Sequence, residues 1–277
     1  RKILRKIYLM SAKIKNYIIE QSAIGDLLIF ISFLCDNYSS DTIINIDIDK
    51  KSLEYWRSDS NNYYEFSKKF LNFICPNNIS FIENLSGSLI SVEHIKNLYL
   101  FNDKEFPLLD LKNKFNNTVD DSKIVLTTKI RYLNRSFFDS IKNDFFKIIN
   151  SSNKSIILVG EKILEYGKEY SIHGDQTIYS IYPDIINGIN PEKIIDKTIP
   201  ASGITTPDFD NLKNDLDLIS KYRTLGFGIS GINFLYSSVT DFKGYCEDHN
   251  FLPFIDRNRK IFKTKNDFLT ITNEYLK

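Results

Sequence analysis

The stretch from residue 14 to residue 48, IKNYIIEQSAIGDLLIFISFLCDNYSSDTIINIDI, decides the fold class. Its first seven residues, IKNYIIE, are rich in β-branched and aromatic side chains and read as a strand. Residues 26–37 form an apolar run suited to a buried helix entered through Gly25, and TIINIDI at 42–48 reads as a second strand. Strand, helix and strand in succession imply parallel pairing through a right-handed crossover. Gly25 is one of two glycines in the first 159 residues, the other being Gly87. A glycine beside Asp26, inside an apolar run, therefore needs a local cause.

Outward from this unit, helical patterns cover 51–57 and 62–74, a short strand covers 79–83, and weaker segments lie near 97–101 and 107–111. The polar stretch NKFNNTVDDSK, 113–123, has no hydrophobic period and reads as a linker. It divides the chain into an N-terminal domain, 1–115, and a C-terminal domain, 116–277. The pattern then restarts with a strand at 123–130, a helix at 136–152, and strands at 155–160 and 177–182. After a loop-rich stretch with Pro191, Pro200 and Pro207 come a helix at 210–222 and a strand, glycine turn and helix at 223–239. The second half is a second α/β unit with no close sequence repeat of the first.

With 42% hydrophobic and 26% charged residues in 277, the chain can bury a full core. Its formal charge of +1 and the lack of alternating basic and aromatic residues disfavour nucleic acid as a partner. Cys35, Cys75 and Cys246 are scattered and odd in number, which argues against a disulfide framework or a zinc site and for a cytoplasmic compartment. The longest apolar run, LLIFISFLC, falls short of the roughly 20 residues that span a bilayer. The opening RKILRKIYLM places Ile3, Leu4, Ile7 and Tyr8 on one helical face and Arg1, Lys2, Arg5 and Lys6 around the other. That pattern fits either a peripheral membrane contact or a short solvated helix.

Four places can carry chemistry. Gly25 and Asp26 fall where a strand becomes a helix, and strand carboxyl ends border the ligand crevice of an open parallel sheet. Asp26 there serves either as a capping carboxylate in the first turn or as a base that takes a proton from a hydroxyl nucleophile. Lys129 and Arg131, at i and i+2 in TTKIRYLNR, share one side of an extended segment and suit a diphosphate, with Thr127 and Thr128 adding hydroxyls. The alternative is a solvated basic pair. Glu161 follows Gly160 at the end of SIILVG, where a carboxylate can accept from ribose hydroxyls or be merely exposed. LGFGISG sets Gly226, Gly228 and Gly231 before an apparent helix, whose free amides, with Ser230, can face an anion. No acidic residue follows about 20 positions on, so a dinucleotide oxidoreductase fits poorly. His94, His173 and His249 stand isolated, and no P-loop or G-x-S-x-G occurs.

Together, the early IGDLLI, the strand ends TTKIR and LVGEK, and the late LGFGISG resemble the GT-B glycosyltransferases. Within them the likeness is to the heptosyltransferase-like group of bacterial surface polysaccharide (lipopolysaccharide or capsule) synthesis. The resemblance implies two Rossmann-like α/β domains facing a cleft, with Asp26 as general base and Gly25 letting the acceptor approach the strand end. It implies a nucleotide-sugar donor held by Lys129, Arg131, Glu161, Gly228, Ser230 and Gly231, and a glycan or lipid-linked acceptor. Two departures stand out: Gly228, Ile229 and Asn233 occupy the neighbourhood where the family's late turn has an aspartate and then a histidine, and the chain is short for the family. The D-x-D at 47–49 lies in the wrong domain for the nucleotide, so no metal and no cofactor are expected. Alternatives are a sugar-nucleotide epimerase or hydrolase on the same architecture, and a non-catalytic α/β binding module.

Overall fold

The computed structural model describes residues 13–20, 24–56, 59–101, 109–115, 118–162, 170–171, 177–200, 208–227, 235–245, 261–262 and 264–277. The basic opening segment, residues 1–12, lies outside them.

The first half begins with β1 (Ile14–Glu20), α1 (Ile24–Asn37) and β2 (Ile43–Ile48), the unit read from the sequence. Next come α2 (Lys50–Trp56), α3 (Ser60–Ile74), β3 (Ile79–Phe81), β4 (Ser88–Ser91) and α4 (Val92–Phe101). The four strands form one parallel sheet in the order β3-β2-β1-β4. Period-2 alternation divides its residues cleanly. Register places Tyr17, Ile19, Ile44, Ile46 and Ile48 on one face, where the Tyr17 ring meets Phe30 of α1 edge to face at 6.4 Å. α1 in turn packs against α3 and α4. Ile14, Ile43, Ile18 and Leu89 share the other face, and Ile14 and Leu89 are 60% and 59% exposed.

That open face is crossed by residues 82–87, which connect β3 to β4 without a helix. Phe81 is level with Ile46, and β4 starts beside Tyr17, itself paired with Ile46. The chain therefore need only cross three strand spacings, about 14 Å, within reach of six residues at about 3.3 Å each. On the way Leu85 N donates to Asp47 Oδ2 at 3.1 Å, and Asn16 Nδ2 donates to Ser86 O at 3.4 Å. Gly87 passes so close to β1 that a Cβ would lie 2.6 Å from Asn16 O. The scarce glycine at 87 is thus fixed by a backbone crossing.

The second half contributes β5 (Lys123–Thr127), β6 (Lys129–Arg131), α5 (Tyr132–Ser151), β7 (Ser155–Val159), β8 (Glu161–Lys162), β9 (Tyr170–Ser171), β10 (Thr177–Ser180) and α6 (Tyr182–Gly188). It continues with β11 (Ile194–Asp196), β12 (Ile199–Pro200), α7 (Phe209–Ile219), β13 (Arg223–Phe227), β14 (Phe242–Tyr245), β15 (Ile261–Phe262) and α8 (Lys265–Leu276). Six of these strands form an all-parallel sheet, β11-β7-β5-β13-β14-β15. Numbered within the half, that is the 3-2-1-4-5-6 order of the Rossmann fold, and the first sheet has the corresponding 3-2-1-4 order. The protein is an α/β molecule built on two Rossmann-like sheets.

Helix-period patterns explain the covering layers. α5 buries Phe138, Ile141, Phe145 and Ile149 at i, i+3 and i+4 spacing, against Phe227 of β13 and Phe268 of α8. α7 starts at Asp208, whose side chain accepts from Asn211 N at 2.9 Å, and buries Leu212, Leu216 and Ile219 on the opposite face of the second sheet. This second layer is continuous with the core of the first half: Phe209 of α7 sits edge-on to Phe66 and Phe73 of α3, at 6.4 and 6.0 Å. One apolar cluster spans both halves.

Two expectations are corrected. Gly25 is not a turn before the helix but the second residue of α1, and among the described glycines the one with positive φ is Gly160. The strand expected at 123–130 breaks at Thr128: its N still donates to Val159 O (3.0 Å), closing the ladder with β7, but its carbonyl accepts from Ile181 N, and Lys129–Arg131 go on to pair with β10. The segment at 97–101 is the end of α4, and β4 and α8 had no strong period in the sequence.

Candidate functional site

In sheets of this order the chain reverses direction of growth beside the first strand, opening a crevice at the strand carboxyl ends. In the first sheet the reversal lies between β1 and β4, where Glu20 pairs with Ser91. Asp26, half-buried, is the third residue of α1 just beyond β1, in the first turn where the helix dipole favours a carboxylate. Across the reversal, Ser91 caps α4 by accepting from His94 N at 3.1 Å, and His94 is exposed in that first turn.

In the second sheet the reversal lies between β5 and β13. Lys129 and Arg131 belong to β6, which pairs antiparallel with β10, Lys129 opposite Ser180 and Arg131 opposite Ile178. Ile130 between them is buried, so positions 129 and 131 fall on the other side of the strand. Lys129 is half-buried.

β8, which carries Glu161, pairs with β12 and begins just after Gly160, which lies beside the start of this basic strand. Gly160 turns the chain from β7 into β8 at φ 108°, and a Cβ there would come within 2.9 Å of Thr128 Oγ1 and 4.0 Å of Lys129 N. The structure therefore brings the backbones of Lys129 and Glu161 to one edge of the second sheet. Gly25 and Asp26 stand at the edge of the other sheet. Gly228, Ser230 and Gly231 lie outside the described residues, as do His173 and His249.

Several residues serve the fold instead of a ligand. Thr127 and Thr128, read as hydroxyl donors, are 1% and 0% exposed; Thr128 Oγ1 donates to Val159 O at 3.2 Å. Thr127 Oγ1 has no hydrogen-bond partner and fills the space beside Gly226, where a Cβ would lie 2.8 Å from it and 2.7 Å from Phe242 Cζ. The first glycine of LGFGISG thus answers to packing between strands. The D-x-D pair is structural as well: Asp47 is buried and accepts from Tyr64 Oη, Ile48 N and Leu85 N, and Asp49 accepts from Ser52 N at 3.2 Å. Among the described residues no three His, Cys, Asp or Glu side chains gather as metal ligands.

Sequence reasoning missed two carboxylates. Asp196, the last residue of β11, accepts from Tyr182 Oη at 2.7 Å, Lys162 Nζ at 3.2 Å, Thr198 N at 2.9 Å and Thr198 Oγ1 at 2.5 Å. Burial opposes its charge, but these bonds prevail and hold the carboxyl down to about 2. Asp215 of α7 accepts from Tyr236 Oη at 3.2 Å within the cluster that joins the halves, and burial pushes it up to about 6 against that bond. Apart from Thr198, two residues after Asp196, their partners lie 14 to 34 residues away, so the sequence carried no signal of the networks they join.

Among the described residues no helix is long and apolar enough to cross a membrane. No family model and no curated protein matches the sequence. Among solved structures, the chain is similar to a point mutant of Arabidopsis thaliana FUT1 in complex with GDP: 10% identity, 87% of this chain and 72% of that chain covered, and a TM-score of 0.38.

Proposed function

We propose that the protein is a GT-B type glycosyltransferase that moves a hexosyl or heptosyl unit from a nucleotide-sugar donor to a glycan or lipid-linked acceptor at the cytoplasmic face of a membrane. The observation that carries this reading is the pairing of topology with chemistry. Both parallel sheets reverse order beside their first strand, and the candidate base Asp26 and the candidate cations Lys129 and Arg131 follow those first strands.

In this reading Asp26 takes the proton of the acceptor hydroxyl as its oxygen bonds to the anomeric carbon. The bond from that carbon to the nucleoside diphosphate breaks on the opposite side, inverting the centre. The departing charge is met by Lys129, Arg131 and the backbone amides of residues 228–231, without a metal. Glu161 accepts from the donor ribose.

The test has two arms. Nucleoside diphosphates are screened for thermal stabilisation, since a ligand that binds the native state alone raises its stability by mass action. Lys129→Ala and Arg131→Ala are then measured by calorimetry. A charge-assisted hydrogen bond contributes about 1.5 to 3 kcal/mol, so each change is expected to weaken binding about ten- to a hundredfold with little effect on folding. Unchanged affinity in the double variant removes these cations from the donor site. Donor turnover that proceeds fully without any acceptor favours a hydrolase or epimerase instead, and absence of nucleotide binding favours a binding module.

A further inference from the structure

Gly160 diverts the chain out of β7, and β8 is a two-residue strand whose ladder partner, β12, is equally short. A two-stranded pair of this length has little stability of its own. What ties it to the sheet is Asp196. Its backbone stands in the ladder beside Leu158 of β7, and the following amides, Lys197 N and Ile199 N, donate to Leu158 O and Gly160 O at 3.0 Å each. Its carboxylate then grips three elements at once: Lys162 of β8, Tyr182 at the start of α6, and Thr198 just before β12. The Lys162 ammonium also stands 4.8 Å from the centre of the Tyr182 ring. With four donors on two oxygens, the carboxylate has no capacity left for a ligand. Its action on a ligand must pass through the strand it holds.

We propose, resting on the donor-site reading above, that Asp196 is a positioning residue for the nucleotide: by holding Lys162 and Tyr182 it fixes β8, and with it Glu161, at the carboxyl edge of the second sheet. Position 162 is held on one side of β8, and alternation puts position 161 on the other. Release of the Lys162 tie frees the strand from which Glu161 meets the ribose, while the phosphate contacts of Lys129 and Arg131, on β6, stay in place.

The experiment is a double-mutant cycle between positions 196 and 161, read by calorimetric affinity for UDP, GDP, ADP and CDP and their 2′-deoxy counterparts. Asp196→Ala is expected to weaken ribonucleotide binding about tenfold and the deoxy form far less, so that the preference for ribose collapses. In a Glu161→Ala background the same change is expected to cost less than twofold, because the contact it positions is already gone. Lys162→Met cuts the tie while leaving the Thr198 and Tyr182 bonds intact, and it is expected to reproduce the loss even if Asp196→Ala fails to fold. Equal weakening of ribose and deoxyribose forms, or additive losses in the cycle, overturns the positioning role and leaves Asp196 as a structural clamp. If the wild type binds none of the four nucleotides, the donor-site reading itself fails and the inference falls with it.

Discussion

At position 26 a single carboxylate stands in the first turn of α1, where the helix dipole stabilises it, and the proposed reaction asks it to accept a proton as well. Asp26→Asn separates the two roles. The helix loses a charge–dipole interaction of about 0.3 to 1 kcal/mol, so the unfolding midpoint should move little. Sugar transfer should fall by about 10² to 10⁴-fold, since asparagine accepts no proton. Donor affinity should persist, and near wild-type transfer by the folded variant would return Asp26 to a purely structural role. Asp215 makes a different prediction. Its carboxyl titrates near 6 in the folded chain and near 3.8 when unfolded, so the native state binds more protons between those values. The contribution is fully present below about pH 4 and is lost as pH rises through about 6. Asp215→Asn should flatten this part of a urea-derived stability profile and make the protein about 1 to 2 kcal/mol more stable at pH 7 than the wild type. An unchanged profile would show that the carboxyl is hydrated.

At the scale of elements, the β7–β8 turn concentrates the constraints of the candidate donor edge. Gly160 combines a φ of 108° with Thr128 Oγ1 2.9 Å from where a Cβ would stand. An L side chain is strained there and also displaces the threonine. Gly160→Ala is expected to lower stability by about 1 to 3 kcal/mol and to weaken nucleotide binding in step, as judged by denaturant melts and calorimetry on the same preparation. Gly226→Ala is a control of similar size and different cause. Its Cβ would clash with Phe242 and Thr127 inside the sheet, costing about 1 to 3 kcal/mol by overpacking. Because that contact is buried between strands, residual affinity per folded molecule should stay near wild type. A selective loss of affinity at Gly226 would place the ligand closer to β13 than the packing does.

For the whole molecule, the decisive feature is that the two sheets share one apolar cluster through α3 and α7. Phe209 is its bridge, in contact with both Phe66 and Phe73. A chain coupled in this way should unfold in one calorimetric transition. Phe209→Ala removes a partly buried ring at the junction and is expected to cost about 2 to 4 kcal/mol, splitting or broadening that transition. A single sharp transition at the wild-type temperature would mean that the halves are coupled elsewhere.

What the sequence determined by itself was local in origin. Short runs rich in β-branched and apolar residues at 14–20, 43–48, 123–127 and 155–159, alternating with period-3.6 runs such as that of α5, were enough for an α/β fold with parallel strands, and they pointed to strand ends as the chemical edge. Tertiary structure alone decided the strand orders, since neighbours such as β1 and β4, or β5 and β13, pair across about 70 to 100 intervening residues. It also reassigned the glycines and hydroxyls. Gly87 and Gly226 answer to backbone and side chains distant in sequence, and Thr127 turned out to be buried beside one of them. Asp196 became visible only when β11 paired with β7 and brought Lys162 and Tyr182 to one carboxylate. Periodicity records which face of an element is buried; which distant residue completes a contact is fixed only by the packing of one element on another.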